Sequence, residues 1–292
     1  MKLPLVNDPE GDRIPASFPA VIDSHVHLFP FKVFSAVWNW FDKHGWPVRY
    51  QSKSTELIQF LLSHGIKHIV ALQYAHVPGM ANDLNKYMVR ICEQFPGQVT
   101  GMATVFPGEE DAANILKKAF ASGLKGVKLH AHVQCFDMVS EEMEVIYDVC
   151  SAANKPMIMH VGREPKSEAY VCDPYKICSA DKLENVLRSF PKLKICVPHL
   201  GVDEFLPYQK LIEKYDTLWL DTAMVLTDYL VKKLPFKLSD LRVDRVMYGS
   251  DFPNIPYAWD RELKWIESAS LSQDHLKMLL TQNAQDLFSI PD

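Results

Sequence analysis

Apolar residues follow two alternating spacings along most of this chain. Short apolar runs rich in Val, Ile and Leu predict buried strands, and longer stretches with a repeat near 3.6 residues predict amphipathic helices. The predicted strands cover about 20–28, 66–73, 99–106, 126–131, 156–162, 193–199, 218–222 and 245–251. The predicted helices cover about 54–62, 82–95, 111–122, 140–153, 179–190, 203–215, 228–234, 259–268 and 273–288.

Strands that alternate with helices predict a parallel sheet whose connections are helical. Eight such units make a closed (β/α)8 TIM barrel, an α/β fold, the predicted architecture. The alternative is an open, doubly wound sheet, but that fold carries a Gly-rich phosphate loop after strand one, where this chain has His25-Val26-His27. We therefore expect one barrel domain over residues 20–292, preceded by an irregular, proline-containing arm over residues 1–19.

The composition and charge argue against some classes of function. Of the 292 residues, 48% are hydrophobic and 23% are charged, which is typical of a globular protein. A formal charge of -5 without a basic run argues against a nucleic-acid partner. No apolar run reaches the ~20 residues of a membrane helix, and the first residues lack the apolar run of a signal peptide. The six cysteines lack the two-residue zinc or redox spacing, so we expect reduced thiols and a cytoplasmic location.

An aromatic-rich insertion follows the first predicted strand, over about 29–54. Such aromatic density is unusual for a surface loop. One interpretation is an extra helix that buries its aromatic side chains against the barrel. A second is a wall or lid over the site behind His27, because ligand pockets are lined largely by apolar and aromatic groups. A third is a subunit contact, which would make the protein a homodimer.

His25-Val26-His27 stands at the end of the first predicted strand. Side chains two residues apart lie on the same face of a strand, so both imidazoles point to one side. Neutral imidazole is a common zinc ligand, and the pair would supply half of a metal site. The triplet alone does not distinguish such a site from two structural histidines.

Later strands carry polar residues at the same end. In a barrel of this kind, the carboxyl ends of the strands form the mouth where catalysis occurs. Packing alone does not select the same end in strand after strand, so we predict a metal site at this mouth. Asp221 fits a packing role equally well. The residues at the strand ends are His25, His27, Lys128, His130, His160, His199, Asp221 and Asp251, with His132 just beyond strand four.

These residues resemble the amidohydrolase superfamily, over about residues 20–288. The similarity is closest to the branch that contains aminocarboxymuconate-semialdehyde decarboxylase, resorcylate decarboxylases and pyrone-dicarboxylate lactonase. It rests on Asp23-Ser24-His25-Val26-His27, Pro198-His199-Leu200-Gly201 and Tyr248-Gly249-Ser250-Asp251-Phe252-Pro253. The resemblance implies that His25, His27, His160 and Asp251 bind one divalent metal, usually zinc. It implies that His199 activates the water on that metal or holds a second metal.

Three further residues are expected to meet the substrate. Lys128 and His130 alternate with Val127 and Leu129, so both point into the barrel. Related enzymes with two metals carry a bridging carboxylated lysine or a glutamate on strand four, which Lys128 would supply; the alternative is a lysine paired with a carboxylate or with substrate. His130 is expected to line the pocket. Arg163 is suited to binding a substrate carboxylate, and its alternative is an ion pair with Glu164 or another neighbour.

The leading functional prediction is a metal-dependent hydrolase of an amide, lactone or related carbonyl substrate. Asp251 would accept a proton from water and pass it to the leaving group, assisted by His199. The alternative is a non-oxidative decarboxylase of an aromatic or dienoic acid, which would use the same ligands. A third alternative is a barrel that binds metal or a small molecule without turnover. In each case the partner is a small molecule, carboxylated if Arg163 binds it.

Overall fold

The structure, a computed structural model, describes residues 7–164, 167–229 and 234–291. It contains all eight predicted strands, most of them shorter at the carboxyl end than their apolar runs. The strands are β1 Val21–His27, β2 Ile66–Leu72, β3 Val99–Gly101, β4 Val127–His130, β5 Met157–His160, β6 Ile195–Val197, β7 Leu218–Asp221 and β8 Val246–Met247.

The eight strands form a closed ring. Strands β1, β2 and β3 pair in parallel, and β4 to β8 pair in parallel in chain order. Two backbone contacts join these groups, because Ala103 pairs with Val127 and Val26 pairs with Phe252. The predicted (β/α)8 barrel is therefore confirmed, and the open sheet is excluded.

Alternating strand residues fill the barrel interior. Buried side chains from six strands, and Met102 just after β3, pack in one cluster with Leu287 and Phe288 of the C-terminal helix. Lys128 lies in register with Ile158, a member of that cluster, so it also points inward as predicted. The members of the cluster from these strands and from the residue after β3 are Ile22, Val70, Leu72, Met102, Ile158, Cys196, Trp219 and Met247.

Helices surround the barrel and pack on it through a larger apolar cluster. The expected helix over 228–234 lies partly outside the described residues, and the chain just before it forms a 3-10 turn, Val225–Thr227. A π turn, Met278–Gln282, joins α11 to α12, so the predicted helix over 273–288 is continuous. The helices are α1 Phe31–His44, α2 Ser54–Ser63, α3 Ala81–Gln94, α4 Ala112–Ala121, α5 Ala131–Gln134, α6 Glu141–Ala152, α7 Pro174–Ile177, α8 Ala180–Ser189, α9 Phe205–Lys214, α10 Arg261–Ser268, α11 Gln273–Lys277 and α12 Asn283–Phe288.

The aromatic insertion after β1 forms helix α1. Phe34 and Trp38 are buried on one face of this helix, and their rings stack at 4.8 Å between centroids. Trp40 and Phe41 line the large cavity at the barrel mouth. The insertion thus packs on the barrel and also supplies a wall of the cavity; a role in dimer formation stays a prediction.

The arm before β1 contains neither helix nor strand over its described part, residues 7–20. It is attached to the segment before α10, where the Gly11 amide donates to Asp260 Oδ2 at 2.9 Å and Asp8 pairs with Arg261 at 3.0 Å. Residues 1–6 of the expected arm lie outside the described residues. Among the described helices, none has the length and apolar character needed to cross a bilayer.

Candidate active site

Strand β1 ends in two histidines that meet an aspartate from the loop after β8. The Nε2 atoms of His25 and His27 lie 3.2 Å apart. Asp251 Oδ1 lies 3.0 Å from His27 Nε2 and 3.3 Å from His25 Nε2. Asp251 adopts a left-handed backbone conformation, with φ of 65°, and its amide donates to the His25 carbonyl at 2.9 Å. This contact holds the carboxylate against the two imidazoles.

The protonation states of these three groups suit metal ligation. Burial lowers the pKa of His27 and holds that of His25 well below its usual value. Burial alone would raise the pKa of Asp251, but the hydrogen bond with His27 and the neighbouring His25 outweigh it and lower that pKa. Neutral imidazoles and an ionised carboxylate are the forms that bind a metal.

Asp221, at the end of β7, orients the site from below. Its Oδ2 lies 2.8 Å from His25 Nδ1, and its Oδ1 accepts hydrogen bonds from the amides of His199 and Ala223. A carboxylate against Nδ1 places the ring proton there, so His25 Nε2 carries a lone pair toward the site. The sequence did not distinguish a packing role from a functional role for Asp221. Its position at a strand end was the only signal for the role described here.

A second buried aspartate connects β1 to the loop after β8. Asp23 accepts hydrogen bonds from the amides of His25 and Ser250, and from Ser250 Oγ at 2.5 Å. Burial raises the pKa of Asp23 to about 7. These contacts tie His25 and Asp251 to each other through the backbone that precedes each of them.

His199 lies between the β1 histidines and β5. Its Nδ1 is 2.8 Å from the Ala223 carbonyl oxygen, so the ring proton of the neutral form is on Nδ1. Its Nε2 is 3.1 Å from His160 Nδ1. His199 lies in the left-handed region, with φ of 57°. The lone pair of His199 Nε2 is therefore directed toward His160.

His160 belongs to a second group of histidines. One nitrogen of each of His130, His132 and His160 lies within 4.8 Å of the others, and the rings of His130 and His160 stack at 4.0 Å. His132 Nδ1 lies 2.7 Å from Glu164 Oε1. His25, His27 and Asp251 form a separate group of this kind, so the expected set of four ligands is divided between the two groups. The role of His160 as the fourth ligand stays a prediction.

His132, a member of the second group, and Glu164, which contacts it, were not predicted to act in the site. His132 repeats the two-residue spacing of His25 and His27, and Glu164 follows the β5 histidine by four residues. Both signals were present in the sequence. The spacing misleads at His132, because the chain turns into helix α5 directly after His130. Helical backbone, not strand alternation, therefore sets the direction of His132.

Lys128 lies beneath the first group. It is fully buried, and its Nζ is 3.4 Å from His25 Nε2. Burial lowers its pKa to about 8, while the carboxylates of Asp221 and Asp251 act in the opposite direction. Lys128 is not among the described residues that line the mouth cavity. In the structure Lys128 contacts His25, and both its predicted substrate contact and its carboxylation stay predictions.

The structure does not bring Arg163 into the cavity lining. Its Nε donates to the Cys178 carbonyl at 3.0 Å and lies 3.7 Å from Glu204, and its guanidinium stacks on Tyr175. The neighbouring Glu164 lines the cavity instead. The ion-pair alternative describes this arrangement better than carboxylate binding does, although the partner is Glu204, not Glu164.

A cavity of about 670 Å³ opens at the barrel mouth above these groups. Its floor contains His27, His160, His199 and Asp251, and His130 lines one side as predicted. The remaining wall is largely aromatic. The aromatic residues of the lining are Trp40, Phe41, Trp46, Tyr74, Tyr170 and Phe205.

The first histidine group fits a divalent cation. Ligand atoms about 2.0–2.1 Å from a metal lie roughly 3.3 Å apart in a tetrahedral site and about 3.0 Å apart in an octahedral one. The three separations among His25, His27 and Asp251 are 3.0 to 3.3 Å. Converging lone pairs at these distances are stabilised when a cation accepts them.

An eight-stranded α/β barrel with a histidine–aspartate group at its carboxyl mouth defines the class of metal-dependent barrel enzymes. Residues 22–290 match the family model described as amidohydrolase, and the chain belongs to this family. The resemblance predicted from the sequence motifs is thereby confirmed. Comparison with curated proteins gave no match.

Several solved structures share the fold. An uncharacterised TIM-barrel protein from Bordetella bronchiseptica is 16% identical, with a TM-score of 0.70 over 93% of this chain and 99% of that one. A 5-carboxyvanillate decarboxylase from Novosphingobium aromaticivorans, solved with manganese and 4-hydroxy-3-methoxy-5-nitrobenzoic acid, is 15% identical, with a TM-score of 0.65 over 96% and 99%. A 2,6-dihydroxybenzoate decarboxylase complexed with 2,6-dihydroxybenzoate is 14% identical, with a TM-score of 0.65 over 92% and 99%.

Proposed function

We propose that this protein is a metal-dependent, non-oxidative decarboxylase of a small aromatic carboxylic acid. The observation that carries the proposal is the aromatic wall of the mouth cavity, which stands directly above His27, His199 and Asp251. Aromatic side chains that enclose a site favour a flat, apolar ring, and the polar floor favours its carboxylate end.

The comparisons support decarboxylation over the hydrolysis that the sequence placed first. Two of the proteins with this fold are decarboxylases, and each was solved with a substituted benzoic acid or benzoate. One of them holds manganese, so the metal here is proposed as one divalent cation, with zinc and manganese both compatible with the measured ligand separations. The partner is a small carboxylic acid.

The proposed reaction is balanced by one proton. The bond between the ring carbon and the carboxylate breaks, carbon dioxide leaves, and the ring carbon keeps the electron pair and takes up a proton. His25, His27 and Asp251 would hold a divalent cation, which would supply Lewis acidity at the floor of the cavity. Lys128 adds buried positive charge beneath the floor, 3.4 Å from His25 Nε2.

His199 is the residue assigned to proton transfer. Because its Nδ1 is committed to the Ala223 carbonyl, only Nε2 exchanges a proton with the cavity. The imidazolium form would deliver that proton from Nε2 to the ring carbon, and His160 at 3.1 Å positions the ring. Asp251, ionised and in contact with His27, would be the carboxylate ligand of the cation.

The experiment is turnover of substituted hydroxybenzoates by metal-loaded protein in deuterium oxide. We expect carbon dioxide release and a single deuteron on the carbon that carried the carboxylate. Proton transfer by a positioned side chain contributes about 10²–10⁴-fold, so His199→Gln is expected to lower kcat by that factor. The control variant is His64→Gln, which lies outside the cavity lining beside Phe60 and Trp259.

Hydrolysis of a lactone or amide is the second candidate, because a neutral His199, with its ring proton on Nδ1, would be able to accept a proton from water at Nε2. The two functions differ in their products. Uptake of one oxygen-18 atom from labelled water without carbon dioxide release would establish hydrolysis and overturn the proposal. Binding without turnover is disfavoured, since the chain belongs to an enzyme family and carries both His199 and Asp251.

A further inference from the structure

We propose that the substrate carries an apolar substituent, either an alkyl chain or a second ring, which occupies a second cavity beside the mouth cavity. This second cavity has a volume of about 630 Å³ and is lined by residues of α1, α5 and the loop after β5. The proposal rests on the proposed function, because it keeps the carboxylate and the ring of the acid in the mouth cavity. It adds the class of substituent that the enzyme selects.

The two cavities share a wall that is made of ring side chains. Such rings offer flat faces to a ligand on either side of the wall. A substrate ring that contacts this wall from the mouth cavity therefore lies next to the second cavity, and a substituent on that ring has only the wall to cross. The described residues that line both cavities are Trp40, Phe41, Tyr74, His130 and Tyr170.

Ring packing leaves one side of the shared wall open. Trp40 stacks on Tyr170 at 5.7 Å between centroids, and the ring of Tyr74 lies 5.0 Å from that of His130. His132 joins these two pairs on one side, because its ring lies 5.6 Å from both Tyr170 and His130. Rings in contact have centroids about 4.5–7 Å apart, and no described ring contact joins Trp40 to Tyr74. The substituent passes from one cavity to the other between these two residues.

The lining of the second cavity favours an apolar group. Among the described residues it contains neither aspartate nor glutamate, and its only lysine or arginine is Lys32, which is exposed in the first turn of α1. Water in such a cavity finds fewer hydrogen-bond partners than in bulk solvent, and an apolar group that displaces poorly ordered water gains affinity. The apolar residues that line this cavity and not the mouth cavity include Val33, Val37, Met80, Val133 and Val171.

The reacting end of the acid stays in the mouth cavity. His27, His199 and Asp251 line that cavity, and none of them lines the second one. The second cavity therefore receives a part of the substrate that does not react. Binding of such a remote part holds the reacting end in position, so kcat/KM is expected to rise with the substituent.

Each cavity is large enough to hold part of a ligand. Small-molecule pockets usually enclose about 300–1,000 Å³, and the two cavities have volumes of about 670 and 630 Å³. An acid with a single ring needs only the mouth cavity. At the rim of the second cavity, Val171 is 92% exposed, and an apolar ligand that binds there covers this side chain. The second cavity therefore has room for a chain of several carbons or for a second ring.

The test is the affinity of the metal-loaded full chain for hydroxybenzoates that carry straight alkyl chains of increasing length. Two series place the chain meta or para to the carboxylate. Calorimetric titration in the His199→Gln background measures Kd with little consumption of the probe. We expect each added methylene to lower Kd about fourfold in one of the series until the second cavity is filled. Carbon dioxide release by the unaltered chain is measured in parallel and tests the proposed function separately.

Two variants fill the second cavity. Ala36 is exposed on α1 and lines only this cavity, so Ala36→Trp fills it and leaves the buried face of the helix unchanged. Ala169→Phe fills it from the loop after β5. Both variants are expected to bind the unsubstituted acid as the unaltered chain does, and to lose the gain that the alkyl chain provides. The matched control is Asn39→Trp, exposed on the same helix and outside both linings, which is expected to keep that gain.

The outcomes distinguish this inference from the proposed function. Equal Kd values along both series, or a gain that neither Ala36→Trp nor Ala169→Phe reduces, would overturn the second cavity as a substrate site, while carbon dioxide release would still support decarboxylation. A gain that a filling variant abolishes, without carbon dioxide release, would support the second cavity and overturn decarboxylation. If no member of either series binds, both proposals are wrong.

Discussion

His25 and Asp221 form a buried pair in which 2.8 Å separates Nδ1 from Oδ2, and neither side chain is more than 1% exposed. The other carboxylate oxygen of Asp221 accepts from the amides of His199 and Ala223. One carboxylate thus fixes the tautomer of His25, a proposed metal ligand, and the backbone position of the proposed proton donor. The pair couples β1, β6 and β7 at the barrel mouth.

Asp221→Asn is expected to weaken zinc binding at the first group about 10–100-fold. The asparagine amide carries a donor on one side, so it cannot accept from His25 and from both backbone amides together. Competition with a chromophoric chelator measures the affinity. Asp216→Asn, at the other end of the same strand, is the control, and equal affinities for the two variants would contradict the proposed role of Asp221.

Trp40→Ala is expected to weaken the binding of an aromatic acid by about tenfold, with kcat nearly unchanged. The Trp40 ring stacks on Tyr170 at 5.7 Å and forms part of the cavity wall. An aromatic pair contributes about 0.5–1.5 kcal/mol beyond its buried area, and 1.4 kcal/mol corresponds to a factor of ten. Calorimetric titration with a hydroxybenzoate measures the Kd. Trp40→Phe is expected to retain most of the affinity, whereas an unchanged Kd for Trp40→Ala would exclude this wall from substrate binding.

Glu262→Gln is expected to stabilise the protein at neutral pH. Glu262 is buried, one carboxylate oxygen accepts from the Leu226 amide at 3.2 Å, and the other has no partner among the described residues. Burial raises its pKa well above the ordinary value, with Asp23 and Asp221 acting in the same direction. The folded protein therefore holds this proton after the unfolded chain has lost it.

The sign of the pH dependence follows from this difference. The contribution of Glu262 is fully present below about pH 4.5 and decreases as the pH rises, by about 1.4 kcal/mol per pH unit until the folded pKa is reached. Urea unfolding at pH 4.5 and pH 7.5 measures the change. The stability gained by Glu262→Gln is expected to be larger at pH 7.5. Glu267→Gln, exposed on the same helix, is the control, and a gain that is equal at both pH values would contradict this account.

Arg163→Ala is expected to leave the KM for a carboxylated substrate within about twofold. The guanidinium is engaged by the Cys178 carbonyl and Glu204, and it lies outside the cavity lining. With a third of the side chain exposed, its ion pair contributes at most about 1 kcal/mol to stability. Steady-state kinetics decide the point: a tenfold rise in KM confined to carboxylated substrates would restore the carboxylate-binding role expected from the sequence.

The barrel was predictable from the chain because each strand is a short apolar run and each helix has its own periodicity. Both signals are local. Strand ends were less accurate, as at β3, which was expected to reach residue 106 and ends at Gly101. The polar residues at the mouth were found by their order, since parallel strands of a barrel bring their carboxyl ends together without further information.

Side-chain direction beyond the strand ends depended on the tertiary structure. Asp221, His132 and Glu164 acquire their roles from contacts with residues 196, 32 and 32 positions away, respectively. Arg163 stands three residues after His160, yet the backbone bridge between Arg163 and Val202 places it beside Glu204 and Tyr175. His25 and His27 both lie in β1, two residues apart, so alternation was enough to predict that the pair shares a site, although the register with β2 shifts between Asp23 and Val26. Which residues contact this pair depends on packing between segments that are far apart in the sequence.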